Sequence, residues 1–163
     1  MNKKICIIMF IPFLIWIGIR IIADIQFTRN CGGYLKRSAD ANTVKMAKQE
    51  LERAFLYIEK EKLTNGYTSV FWKTPDEDIG FWHDNLKSAL EELNSVGPNA
   101  TQLEKSNILM KLRETLLDSD DKKMKVTFPK GIGLFPYNFS TAIFGTFSCI
   151  IAIIGGIILF DEI

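Results

Sequence analysis

The sequence predicts an all-α membrane protein, in which two transmembrane helices flank a small antiparallel three-helix bundle. Three observations point there. Residues 142–160 read AIFGTFSCIIAIIGGIILF and carry no Asp, Glu, Lys, Arg or His. Residues 5–22 form a second apolar run whose one charge, Arg20, lies near its end. Between the runs, apolar residues recur at three- and four-residue spacing in three separate stretches, the signature of helices with one buried face.

The 163 residues divide accordingly. Residues 1–4 are a short basic tail and 5–23 a first transmembrane helix. Residues 24–41 are a juxtamembrane connector and 42–118 the helical bundle. Residues 119–141 are an irregular or short extended return, 142–160 a second transmembrane helix and 161–163 a tail.

The first run has the basic start and apolar centre of a signal sequence. Arg20-Ile-Ile-Ala-Asp-Ile offers no Ala-x-Ala cleavage site, so the run is expected to stay as an anchor. Residues 5–19 alone fall short of the ~20 residues a span needs. The helix can extend to Ile22 if Arg20 sends its guanidinium to the headgroups, which makes Arg20 a membrane-interface anchor. Pro12 should kink the helix, since it removes a backbone donor. Cys31-Gly32-Gly33 should then break it, with a restart possible over 34–41.

The first bundle helix is expected over 43–63, with Val44, Ala47, Leu51, Ala54, Phe55 and Ile58 on one face and Asn65-Gly66 as its stop. The second should begin at Thr74-Pro75-Asp76-Glu77, a capping box with proline at the first helical position. Ile79, Trp82, Leu86, Leu90 and Leu93 form its stripe, and Gly97-Pro98 ends it. A further capping box, Thr101 to Glu104, opens the third helix, whose broad apolar face holds Leu103, Leu109, Met110, Leu112, Leu116 and Leu117. It should stop in the charged turn 118–123. In the linker GYTSVFWK, Tyr67, Val70, Phe71 and Trp72 are expected to cap the bundle core. Two prolines and two glycines preclude a long helix over 125–139, and 126–128 suits a short extended piece. Phe135, Tyr137 and Phe139 stand just before the second span, where aromatic rings favour the membrane–water boundary.

Charge excludes some functions. The chain has 20 basic and 19 acidic residues; setting aside Lys3, Lys4 and Arg20, and Asp161 and Glu162, leaves the middle segment with equal numbers of each sign. A balanced, interspersed surface gives no footprint for nucleic acid. The cluster Lys122, Lys123, Lys125 and Lys130 is partly offset by Asp118, Asp120 and Asp121. Only Cys31 lies in the middle domain, so no disulfide can form inside it.

No reactive motif stands out. His83, the one histidine, lacks a ligating partner at positions 79 and 87 and reads as an exposed surface residue. Asp118 to Asp121 begins like a calcium loop, but Lys123 and Pro129 occupy the positions of its glycine and closing acid. Cys31 has no histidine beside it in sequence to activate a thiol. Gly131-x-Gly133 lacks a third glycine and so carries no phosphate signal. Asn99 and Asn138 match glycosylation acceptors, a pattern common by chance. No catalytic, cofactor-binding or metal-binding residue is therefore expected.

Inside the second span, Ser148, Ala152 and Gly156 recur every four residues and share one face. Small residues let helix backbones approach closely in lipid, so this face is expected to pack against the first span or a second copy.

Lys3, Lys4 and the free amine favour a cytoplasmic N-terminus; the basic residues flanking the spans on the other side oppose it. The reading adopted is a multi-pass protein with both termini on one side, the cytoplasmic one, and the middle domain outside. Its partners are the lipid bilayer and either another membrane protein or itself. The function expected is noncatalytic: an interaction, scaffold or accessory subunit. A membrane-anchored sensor binding a small ligand between helices is the first alternative. A small channel or holin-like lytic protein ranks last, because the spans offer few polar residues to line a pore.

Overall fold

A computed structural model of the chain describes residues 3–71, 73–120, 123–134 and 138–161. It is mostly helical, at 73 % of residues, with one small hairpin. The helices are α1 (Lys3–Ile8), α2 (Ile11–Phe27), α3 (Gly33–Ala39), α4 (Val44–Lys60), α5 (Ile79–Ser95), α6 (Gln102–Leu116) and α7 (Phe139–Asp161). Two strands, β1 (Leu117–Asp120) and β2 (Lys123–Val126), pair antiparallel, with Leu117 opposite Val126.

Two helical stretches, Ile5–Ala39 and Phe139–Phe160, are long and apolar enough to cross a membrane. The α1–α2 ladder is interrupted at Met9 and Phe10, just before Pro12, where the missing N–H leaves a carbonyl of the preceding turn without its usual donor.

The glycines at 32 and 33 do not break the helix, contrary to the sequence expectation. The chain passes from α2 through one π turn, Thr28–Gly32, straight into α3. Two helical glycines cost about 1 kcal/mol each against alanine. Burial outweighs that: Phe27, Cys31, Leu35 and Ala39 all enter the core. These residues are four apart, and the wider π turn keeps such a row aligned where a pure α-helix would let it drift.

The core is built from α3, α4, α5 and α6, with Leu51, Ala54 and Ile58 of α4 against Ile79, Trp82 and Leu86 of α5. Ser38 donates its hydroxyl to the Ala47 carbonyl at 2.8 Å and closes α3 onto α4. Leu103 and Met110, placed on the apolar face by periodicity, are exposed; only Leu112, Leu116 and Leu117 of that set are buried. The reason is that α6 touches its neighbours mainly through its last turns, while its N-terminal half projects past them.

Helix boundaries also shift. Helix α4 ends at Lys60, before Asn65-Gly66, because Lys62 adopts a left-handed conformation (φ 57°) and the Leu63 amide turns back to the Ile58 carbonyl at 2.9 Å. The Thr74–Glu77 box caps a single 3-10 turn, Pro75–Glu77. Helix α5 proper begins at Ile79, where the Asp78 carboxylate accepts from the Phe81 amide at 3.0 Å. The Thr101–Glu104 box does open α6, its Thr101 hydroxyl accepting from the Glu104 amide at 3.2 Å. The charged stretch after α6 forms the arms of the hairpin, whose tip lies outside the described residues.

Candidate functional site

The junction between the apolar helices and the helical domain gathers several long-range hydrogen bonds and ring contacts. Three chain segments meet there: the end of α2, the loop residues 66–71 and 73–78, and the return strand 127–134, an irregular, turn-rich stretch outside the hairpin.

The return strand is shaped by its own prolines and glycines. Gly131 has φ 78°, and two successive turns form as the Ile132 amide reaches the Pro129 carbonyl and the Leu134 amide reaches the Gly131 carbonyl. This compact bend places Ile132 in the core beside Phe27. Around the bend, the Trp82 indole donates to the Thr127 carbonyl at 3.1 Å, and the Lys130 amide donates to the Asp76 carbonyl at 3.0 Å. The Thr68 hydroxyl donates to the Lys130 carbonyl at 2.6 Å. Arg20 reaches across from α2 to give Nη1 to the Leu134 carbonyl at 2.8 Å. Gly133 lies so close to Asp24 that a Cβ there would meet the Asp24 backbone. Phe27 stands at the centre, edge-on to Phe128 with ring centroids 5.3 Å apart, and near Trp82 and Tyr57.

Arg20 is thus 7 % exposed and ties α2 to the return strand. Phe139 is exposed at the start of α7; Phe135 and Tyr137 lie outside the described residues, as does Trp72. Phe71 does not cap the bundle core, since its ring stands 79 % exposed. Val70 is half-buried.

The inner face of α7 rests on α1 and α2 of the same chain. Ser148 and Ala152 are buried there, together with Gly145 and Gly155. A Cβ on Gly145 would run into the Trp16 indole, and one on Gly155 would approach Met9 and the Cys6 carbonyl. Gly156 is half-buried, with the Phe10 ring at ordinary contact distance. The four-residue row Ser148, Ala152 and Gly156 runs along this face beside Gly145 and Gly155. The alternating three–four spacing of 145, 148, 152 and 155, which follows a helix seam more faithfully, takes in both of these glycines.

His83 is buried at 9 % exposure, not on the surface. Its ring stacks on Phe55, Nε2 lies 2.8 Å from Glu59 Oε1 and Nδ1 lies 3.3 Å from Asp84 Oδ1. Sequence gave no sign of this, because Glu59 comes from another helix. Glu50 is similarly held, between Arg37 at 3.0 Å and Arg53 at 3.1 Å. Cys31 is fully buried. Asn138 opens α7, its backbone carbonyl accepting from the Ala142 amide and its side-chain oxygen from the Thr141 hydroxyl. Among the described residues, no three His, Cys, Asp or Glu side chains cluster closely enough to hold a metal ion.

What this arrangement does chemically is clasp. It joins carbonyls, amides and apolar rings across three segments, and it includes an exposed ion pair, Lys130 to Asp76 at 2.6 Å. An open groove of about 590 Å³ lies nearby, lined by Asn30, Tyr34, Arg53, Leu56 and Tyr57. Comparison with protein-family models, with curated proteins and with solved structures returns no match.

Proposed function

We propose that the chain is a two-span membrane protein whose helical domain is a noncatalytic mount for another protein, either a different membrane protein or a second copy. The observation that carries this is the single helix Ile5–Ala39. Its first part exposes isoleucines along its length, and its last part buries Phe27, Cys31 and Leu35 in the domain core. A helix shared in this way holds the domain in fixed relation to the apolar helices, which suits a scaffold or accessory subunit. The finer reading of the domain as an antiparallel bundle, with both termini on the cytoplasmic side and the domain outside, belongs to the same proposal.

The groove beside Tyr34 is the favoured contact surface, because Leu56 is exposed at its rim and the Arg37 and Arg53 guanidinia flank the Tyr34 ring at 5.9 and 5.8 Å. Purification in mild detergent should yield a complex of fixed stoichiometry. Leu56→Asp should dissolve it while leaving the helical circular-dichroism signal unchanged. A wild-type chain that stays monomeric and partner-free after crosslinking in native membranes would overturn the proposal.

One observation favours a sensor as the second reading. The π turn Thr28–Gly32 sits where the shared helix enters the domain, and such turns are frequent at functional sites. Stabilisation of the domain by a small ligand would support it.

A further inference from the structure

We infer that the loop after α4, residues 67–71, is a wedge that enters the interfacial layer of the bilayer, so that the domain rests on the membrane. The inference rests on the two-span proposal above.

The two apolar helices are staggered. The Trp16 indole donates to the Thr141 carbonyl at 3.0 Å, so the first turn of α7 stands level with residue 16 of α2. Residues 17–25 of α2 therefore extend about 13 Å beyond the start of α7. Their outer surface is mostly apolar, with Ile19, Ile21, Ile22 and Ile25 each more than half exposed and Asp24 the exposed charge near the far end. Adding this overhang to the apolar length of α7 gives about 40 Å, which exceeds the hydrocarbon core and matches a bilayer with its headgroup layers. The overhang is therefore at interfacial depth. Everything beside it shares that depth, including the return strand.

Backbone bordering the hydrocarbon core gains from partners within the protein, because water becomes scarce there. Several groups of the return and of the first turn of α7 have such partners. Arg20 covers the Leu134 carbonyl, Trp16 covers the Thr141 carbonyl, and the turns at Gly131 use the Ile132 and Leu134 amides.

The loop 67–71 lies against this layer. It shares a groove of about 370 Å³ in which Thr68, Val70 and Phe71 face Lys130, Asn138 and Ala142. Ala142 is in the first turn of α7, level with residue 16, so Val70 and Phe71 sit at the foot of the overhang, where the interfacial layer meets the apolar length of α7. Thr68 is fastened to the Lys130 carbonyl and its amide to the Glu77 carbonyl at 3.1 Å, which fixes the loop at that height. Phe71 is 79 % exposed beside this groove, and a lipid interface would bury that apolar surface. Lys73 lies 5.3 Å from the Tyr67 ring centroid and puts a cation beside the loop, suited to lipid phosphates.

Depth-dependent quenching tests this on the full-length protein. Cys6→Ser and Cys149→Ser remove two thiols, and Cys31 is fully buried. Phe71→Cys, Leu103→Cys and Ile151→Cys are each labelled with an environment-sensitive fluorophore. They are reconstituted in vesicles of phosphatidylcholine and phosphatidylglycerol. The label at 71 should be quenched several-fold more by lipid spin-labelled near the headgroup than the label at 103, and less by aqueous iodide. The label at 151 should be quenched best by lipid spin-labelled deep in the chain. If 151 responds and 71 behaves like 103, the wedge is wrong and the two spans stand. If 151 is open to iodide, the two-span proposal itself fails and the wedge with it. If 71 is shielded from both lipid and iodide, another protein covers the loop, and the wedge is overturned.

Discussion

Lys62 is the only described residue other than glycine with positive φ, and it ends α4. A side chain with a Cβ is disfavoured there by roughly 1 kcal/mol. Lys62→Gly should therefore raise the domain's unfolding free energy by about that amount, read from denaturant unfolding of the full chain in detergent. A lower midpoint would show that the lysine stem contributes packing that the conformation conceals. The capping threonines should differ from each other. Thr101→Ala removes a cap from a four-turn helix and should cost about 1 kcal/mol, whereas Thr74→Ala disturbs one 3-10 turn and should cost a few tenths. Asp78→Ala, at the true start of α5, should resemble Thr101→Ala. Equal losses at 74 and 101 would mean that α5 begins at Pro75 after all.

The Asp76–Lys130 pair adds a pH dependence. The hydrogen bond from the Lys130 ammonium, then its charge, holds the Asp76 carboxyl below its usual range. The same bond and charge hold Lys130 above its usual range. The carboxylate's contribution is present above the ordinary aspartate range and is lost as pH falls through its depressed value. The ammonium's contribution is present below the ordinary lysine range and is lost as pH rises through its raised value. Both groups are exposed and screened, so the effect is small. The stability difference between wild type and Asp76→Asn should be flat from about pH 5 to 9 and shrink towards both extremes. A difference that grows at either extreme would contradict the pairing.

Among the elements, the sequence exposed most where one rule governed one helix. The stripes of α4 and α5 and the Thr101 box are local patterns, and helix formation follows them directly. The positions of Ala47, Leu51, Ala54, Ile58, Ile79, Trp82 and Leu86 were all readable this way. The glycines at 32 and 33 defeat the local rule because the forces that keep the helix intact are non-local: Phe27 and Leu35 gain a core that α4, α5, α6 and the return supply. The clasp was invisible for a similar reason. Its bonds join residues 20 to 134, 68 to 130 and 82 to 127, and no spacing rule spans those intervals. The seam on α7 was half legible, since small residues are visible in sequence but their register against Trp16 and Met9 is not. Gly145→Leu should push α7 off Trp16 and abolish disulfide crosslinking between cysteines placed at Met9 and Ala152. Gly156→Leu, at the edge of the seam, should leave most of it. Equal loss from both would place the seam on the four-residue face instead.

At the scale of the whole molecule, the features converge on one arrangement. Two staggered apolar helices carry a helical domain through a shared helix, and the return strand locks the domain down by way of Arg20, Thr68 and Trp82. Many large apolar side chains on α2 and α7 face outward, among them Leu14, Ile15, Phe147, Ile150, Ile154 and Ile157. Water would disfavour each of them, at about 25 cal/mol per Å². A bilayer would not, and that difference is the centre of the account. It is tested most directly by scanning single cysteines at these six positions and at Leu103 with a membrane-impermeant maleimide, in sealed and in detergent-permeabilised vesicles. The account predicts that all six stay unreactive in intact and opened vesicles alike until the bilayer is dissolved, while the cysteine at 103 reacts whenever its side is accessible. Reaction at positions 150 and 154 at the rate of 103, with the bilayer intact, would show that these faces meet water and would contradict the two-span arrangement.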